Sequence, residues 1–429
     1  MDWESDHPAQ EERTEIIYLP PRGGGSNVSA VKNEGLSFTA MRRSNLSAVL
    51  RKIHYTGSIS RRDLTEHLGL NRSTVIDLVG ELIDLGLLTE EVAPVEGPRK
   101  KGRPTLHLRP DTSVVALALY PDVDGIRVSL VALGGQEIAT EFIPTAHAPG
   151  VKAVLEHAAV SMERLAGKVV GAVRCVGVCL ATSGMVDVGN GVVKSAPHLG
   201  WDEVPFGALL EQATGLPTRV VSSAGAATQA ELLFGAGQGV SDLVYLHGGE
   251  SGIDGGIILG GVAVTGMSGF AGQVGQNFLS PPTGTAGRTT GRTFDDEINR
   301  RALLRALGMR GSTDEDLAAA LDGDNADAAR RVLRHQVGVL SLGVASFVNL
   351  LNPAVILLGG YLGVLLEQER AYLTTLVRRQ AVRAAYSDVR IEPAALGSRG
   401  VMVGAGEAVF AAVLDAPELI DEVLAKRSA

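Results

Sequence analysis

The residues best placed to do chemistry in this 429-residue sequence are cations. Arg99, Lys100, Lys101 and Arg103, with Gly102 between them, form a run that contains no acid, and upstream of it stand Ser60, Arg61, Asn71, Arg72, Ser73 and Thr74. Side chains of these types can neutralise phosphates and read base edges; the same composition also suits a solvated, charged face on an interaction module. A second set, Arg288, Arg292 and Arg300, can hold a phosphorylated ligand or can be ion-paired on the surface. His198 and His247 stand alone in sequence, which fits core or surface roles better than catalysis. The two cysteines, Cys175 and Cys179, lie four apart on an apolar strand-like run, which predicts buried thiols on one face and no metal knuckle.

The upstream cations need elements to position them, and the stretch from Met41 to Pro110 supplies them. Leu46, Val49, Leu50 and Ile53 recur at helical spacing and predict a first helix ending near Gly57. Ser60 has the chemistry of an N-cap for a short second helix, its hydroxyl accepting from the backbone N–H of Asp63, with Leu64 and Leu68 inward and Gly69 as the stop. The turn Gly69-Leu70-Asn71 leads into a third helix. Its inward face is predicted to be Val75, Ile76, Val79, Leu82 and Ile83, leaving Arg72, Ser73, Thr74 and Asp77 outward near the N-terminal end. Segments 86–92 and 105–108 then predict a hairpin whose tip, Pro94 to Pro104, carries the cationic run. Three helices, a tight turn and a basic tip in this order predict a winged helix-turn-helix over residues 41–110, with the third helix in a major groove.

Composition agrees. The formal net charge is -9, but residues 41–110 hold 12 Lys and Arg against 8 Asp and Glu, so the basic footprint is local. Residues 1–40 are acidic and aperiodic, with Pro20-Pro21 and three consecutive glycines, and predict a disordered leader. A hydrophobic content of 45% is enough for a large core. No apolar run approaches a membrane span and no basic-then-apolar segment opens the chain, which predicts a cytoplasmic protein without a membrane partner.

From residue 111 the pattern changes to apolar runs of strand length. Three consecutive strands are predicted over 114–120, 126–133 and 137–143, then a helix over 151–167, a buried strand over 173–180, a strand at 218–221 and a helix over 224–234. The theme restarts with strands at 243–247 and 255–262, followed by a helix over 329–351, a strand at 354–358, a helix over 363–384, a strand at 389–393 and a last helix from Gly404. An α/β domain of two similar halves is expected, with a ligand site facing the cleft between them.

The GRP-containing wing and the segments SGMVDVGNGVVKSAPHLGW, GIDGGIILGGVAVTGMSGFAGQVGQ and VNLLNPAVILLGG together resemble the ROK family of repressors, unassigned reading frames and sugar kinases. The resemblance covers nearly the whole chain from about Leu46. It implies an actin-like, two-lobed sugar-kinase (ribonuclease H-like) fold over residues 111–429. It also implies where kinase chemistry is altered. The family's phosphate loop falls on Tyr120 to Ile126, which has no glycine pair; its catalytic Asn-Asp pair falls on Ser222-Ser223, and a hydroxyl is no general base at neutral pH. Its sugar-binding Glu-x-Gly-His falls on Gln273-Val274-Gly275-Gln276, and its zinc cysteines are missing from residues 277–296. Gly184, Asp187, Trp201 and Asn352-Pro353 match the pattern around the cleft and hinge.

The resemblance thus points to Gly184, Asp187, Ser222, Ser223, Gln273 and Gln276 as effector-binding candidates, with no catalytic residue, no metal and no cofactor. Asp187 can instead bond its own turn, and the glycines at 252, 255, 256, 260 and 261 can serve close backbone approach or a tight hairpin. The expected function is a DNA-binding regulator, a repressor of sugar or amino-sugar genes. Its partners would be a double-stranded inverted-repeat operator and a sugar or sugar phosphate, and it would act as a homodimer or homotetramer. A working sugar kinase with an added DNA-binding domain, or a regulator without small-molecule sensing, are the other readings.

Overall fold

The computed structural model describes residues 38–92, 106–279, 292–309, 313–323 and 327–425. Most of the acidic leader and the whole basic tip, including Arg99, Lys100, Lys101, Gly102 and Arg103, lie outside the described residues, as does Arg288.

The N-terminal unit follows the spacing of its apolar residues. Helices α1 (Phe38–Thr56), α2 (Arg61–Leu68) and α3 (Arg72–Asp84) enclose Leu46, Leu50, Leu64, Val79 and Leu82, and strands β1 (Ile59–Ser60), β2 (Leu88–Val92) and β3 (Leu106–Pro110) form one antiparallel sheet in the order β1-β3-β2. Ser60 caps α2 by accepting from Asp63 N (3.1 Å), and Asn71 caps α3 by accepting from Thr74 N (2.8 Å). One assignment differs on α3: Leu78 is buried and Ile76 is 46% exposed. The inward face is 75, 78, 79 and 82, a regular i, i+3, i+4, i+7 stripe that a contiguous apolar pair at 75–76 obscures in sequence.

Two lobes follow. Strands β4 (Val114–Asp122), β5 (Gly125–Ala132) and β6 (Gln136–Pro144), helix α4 (Val151–Ala166) and strand β7 (Arg174–Thr182) begin the first. A small sheet of β8 (Met185–Asp187), β9 (Val192–Ala196) and β10 (Trp201–Val204) then precedes α5 (Phe206–Thr214), β11 (Thr218–Ser222) and α6 (Ser223–Phe234). The second lobe contains β12 (Leu243–Gly249), β13 (Gly252–Leu259), β14 (Val262–Ala263), α7 (Phe294–Glu297), α8 (Arg300–Ala306), α9 (Asp314–Leu321), α10 (Asp327–Leu351) and β15 (Val355–Gly360). Helix α11 (Tyr361–Gln380), α12 (Arg383–Tyr386), β16 (Arg390–Pro393), α13 (Gly400–Asp415) and α14 (Ile420–Ala425) complete the chain. The large sheets are ordered β11-β7-β4-β5-β6 and β14-β13-β12-β15-β16. Read from the first strand of each half outward, the two orders are the same, with two antiparallel neighbours on one side and two parallel ones on the other. The expected duplication is therefore present.

The cysteines do not share a face. Between Cys175 and Val178, β7 advances three residues while its partner β4 advances two, and this bulge turns Cys179 into the cluster that includes α13 while Cys175 packs toward α4. Among the described residues one helical stretch, Gly397–Asp415, is long and apolar enough to cross a membrane, contrary to the expectation that none would be; 67% of its apolar window is buried within the fold, which its composition serves.

Besides Ser47 Oγ donating to Leu414 O (2.6 Å) and Arg51 pairing with Asp415, the N-terminal unit is fastened to the first lobe at two places. His54 is fully buried on α1: its Nδ1 accepts from Gly134 N in the β5–β6 turn (2.8 Å), which leaves Nε2–H to donate to Glu407 Oε1 on α13 (2.8 Å). Around it stand the rings of Tyr55, Phe234 and Phe410. At the second place, Arg174 at the start of β7 donates to Leu85 O (3.0 Å) and Gly86 O, the carbonyl end of α3, where a cation also complements the helix dipole. Helix α13 lies against α6 so closely that a Cβ on Gly404 would fall 1.8 Å from Ala226 O.

Replacing Glu407 with Leu leaves the His54 N–H buried without an acceptor, and the expected cost is about 1–3 kcal/mol of stability, read as a lower midpoint in urea unfolding. Gly404→Val forces α6 and α13 apart and is expected to cost at least as much, about 1–3 kcal/mol or more, in the same measurement.

Candidate functional site

Between the lobes lies a cavity of about 350 Å³, within the range of small-molecule sites. The loop after β7 supplies Ser183 and Gly184, the turn after β9 supplies His198, β13 supplies Asp254, and the segment before α7 supplies Gln273 and Gln276. Asp295 closes the wall from the first turn of α7. Gly184 adopts φ +134°, and a Cβ there would meet Ser195 O at 2.4 Å, so only glycine passes the chain between the cavity and β9.

Of the effector candidates, Gly184, Gln273 and Gln276 line this cavity. Gln276 donates to Asp295 Oδ2 (2.8 Å), and the Asp295 Oδ1 accepts from Ile253 N (2.7 Å). Ser223 is buried at the start of α6 and its Oγ lies 3.1 Å from Ser183 Oγ, one hydroxyl behind the cavity wall. Ser222 caps α6 by accepting from Gly225 N (3.1 Å). Asp187 takes the turn role: it accepts from Asn190 N (3.2 Å) and Asn190 Nδ2 (2.8 Å), and these bonds hold its carboxyl below the usual range. Trp201 is buried against Phe206, ring centroids 4.6 Å apart, and supports the loop that carries His198.

The β4–β5 turn, where a phosphate loop was expected to be lost, is filled by side chains. Tyr120 OH donates to Asp122 Oδ2 (3.1 Å) and Val123 N donates to Asp122 Oδ1 (2.8 Å). Burial raises the carboxyls of Asp122, Asp254 and Asp295, that of Asp254 to about 6, with the charge of Asp295 adding to the effect. His247 faces Asp254 across the β12–β13 pair; burial lowers its pKa to about 4, so the ring is neutral at pH 7 and pairs with Tyr245 OH (3.0 Å). The other nearby cations are engaged, Arg300 with Glu250 and Asp314, Arg292 with Glu297. Asp254 and Asp295 were not picked out in the sequence. Asp254 stood among glycines that drew notice for their backbones, and Asp295 lay in a capping box, Thr293 with Asp296, that explains its neighbours without it.

At the other end of the molecule, the outward side of α3 presents Arg72, Ser73, Ile76 and Asp77. The Ser73 hydroxyl donates to the capping oxygen of Asn71 (2.7 Å), and Thr74 is half-buried. Ser60 is buried in its cap, and Arg61 is engaged by both oxygens of Glu90 (2.8 and 3.2 Å). Among the described residues of that side, Arg72 and Ile76 are the side chains with reach and no internal task.

Known proteins resemble this chain over much of its length. The chain is 26% identical over 399 residues to the xylose repressor of Caldicellulosiruptor bescii, covering 89% of this chain and 98% of the relative. It is 26% identical over 389 residues to the DNA-binding transcriptional repressor Mlc of Escherichia coli, covering 85% and 92%. It is 28% identical over 260 residues to a glucokinase of Halalkalibacterium halodurans, covering 56% of this chain and 78% of the relative. The crystal structure of a ROK family transcriptional regulator homologous to the Mlc protein matches the fold with a TM-score of 0.68 at 23% identity, over 90% of this chain and 98% of that one. The ROK family model matches residues 123–411, from the β4–β5 turn to α13, and the chain belongs to the ROK family.

Proposed function

We propose that this protein is a sequence-specific DNA-binding transcriptional regulator, a repressor of genes for sugar or amino-sugar metabolism or transport, with the cleft between its lobes as the effector site. The observation that carries this reading is the outward face of α3. A helix N-terminus there presents Arg72 and an exposed Ile76 one turn apart, and the far end of the same helix is clamped by Arg174 of the sensing lobe. Arginine pairs with guanine edges in a major groove, and an aliphatic side chain suits a thymine methyl. The basic tip at residues 99–103 would add phosphate or minor-groove contacts. The names of the two repressor relatives support the same reading.

A homodimer or dimer of dimers, acting in the cytoplasm, would set two α3 helices against a roughly two-fold symmetric operator. Ligand binding would change the angle between the lobes and with it the spacing of those helices. Phosphoryl transfer is taken to be absent, because Ser223 offers no base where the family's kinases have aspartate, and Tyr120 and Asp122 fill the turn where a phosphate loop would lie.

Genome-wide recovery of DNA bound to the purified protein is expected to give one inverted-repeat motif beside sugar genes. On that motif, Arg72→Ala is expected to weaken binding by about 1–3 kcal/mol in fluorescence anisotropy, and Ile76→Ala to relax preference at a single base position. Full specific affinity in Arg72→Ala, or recovery of no specific DNA, would overturn the reading. In a coupled assay with ATP and a panel of hexoses and amino sugars, no turnover is expected; enzymatic turnover would restore the kinase alternative.

A further inference from the structure

The cavity is a built site with an unusual charge balance. Two carboxylates line it, Asp254 from β13 and Asp295 from α7, and a third, Asp122 of β4, stands behind Ser183 and is bonded to Tyr120. Two of them are satisfied. Asp295 accepts from Ile253 N and Gln276, and Asp122 accepts from Val123 N and Tyr120 OH. Asp254 is not: it is half-buried in the cavity wall, and among the described residues its carboxylate has neither a hydrogen bond nor a cation. No lysine or arginine lines the cavity among the described residues. His247, directly across the strand pair, is held neutral and bonded to Tyr245, and His198 acts on Asp295 from the other wall.

A largely desolvated carboxylate without a donor is costly, and a ligand that supplies the missing partner removes that cost. A phosphate ester would bring two further negative charges beside two acids, with no lysine or arginine in the lining to meet them. An ammonium would meet an acceptor already desolvated, beside a half-buried amide, Gln273, that is left to bond hydroxyls.

We propose that the cleft takes an unphosphorylated, amine-bearing polyol of the free amino-sugar class, its ammonium seated on Asp254, and that it rejects sugar phosphates and nucleotides. This rests on the cleft being the effector site of a DNA-binding regulator. Asp254 is the residue that sets the class, and Gln273 and Ser183 bond the hydroxyls.

Isothermal titration of the full-length protein tests it with matched probes: glucosamine, galactosamine, mannosamine and an aminocyclitol, each against its neutral parent, its N-acetyl form where one exists, and glucosamine 6-phosphate. At least one free amine is expected to bind roughly tenfold or more tighter than its neutral and N-acetylated counterparts. Glucosamine 6-phosphate is expected not to bind. Asp254→Asn should remove the preference for the amine and Asp254→Glu should retain part of it, with thermal unfolding and operator binding showing that both variants are folded. Equal binding of amine and neutral parent, tighter binding of the phosphate, binding of none of the amines, or a preference that survives Asp254→Asn would each overturn the proposal. Operator binding measured in parallel separates the two claims: amine binding without any change in DNA affinity refutes the regulatory reading alone, and DNA release by a neutral sugar or a phosphate refutes the ligand class alone.

Discussion

One imidazole joins the parts of this molecule. His54 is buried with a backbone N–H on one ring nitrogen and a carboxylate on the other, so it ties its own helix α1 to the β5–β6 turn and to α13. An interior polar group is stable only while every partner stays in place, so the interaction acts as a constraint as much as an attraction. It requires the N-terminal unit to sit on the first lobe in one orientation. The aromatic rings around it exclude the water that would otherwise substitute for a lost partner.

That constraint gives the cleft a physical route to α3. Ser223 opens α6 behind the cavity wall; α6 meets α13 at Gly404, where nothing larger than hydrogen fits; and α13 carries Glu407, which holds His54. Helix α6 also touches β12 and β13 of the second lobe. It therefore lies where a change of angle between the lobes must be absorbed, and packed helices absorb such changes by small displacements between discrete arrangements. The exposed N-terminal end of α3 and the acid-lined cavity are the two ends of one packed body.

Much of this was legible in the sequence because it is periodic. The two strand sets, the long helices among them and the cap at Ser60 follow from spacing and residue type. What escaped depends on relations between segments. A one-residue bulge in β7 sends Cys175 and Cys179 to opposite faces, and nothing local to the strand announces it. Ile76 reads as core because it is apolar, yet one residue of rotation puts Leu78 there and leaves Ile76 outside. The small sheet of β8, β9 and β10 was missed because its strands are short and half-exposed. Asp254 and Asp295 stand far apart in sequence and become neighbours only when the segment after β13 folds back on it. The effector residues inferred from family position divide accordingly: Gly184, Gln273 and Gln276 line the cavity, whereas Ser222 and Asp187 serve the local backbone.

The nine residues of β7 have one further consequence. The strand begins at Arg174, which grips the carbonyl end of α3, and ends at Thr182, beside the cavity residues Ser183 and Gly184. It spans about 30 Å at strand rise and is hydrogen-bonded on both edges, to β4 and to β11. A strand held in this way does not stretch or bend appreciably, so it can pass on tilt but not strain. A signal carried by this strand to α3 would be a change of heading, and substitutions in the middle of the strand that preserve its volume should leave that coupling intact even where they lower stability.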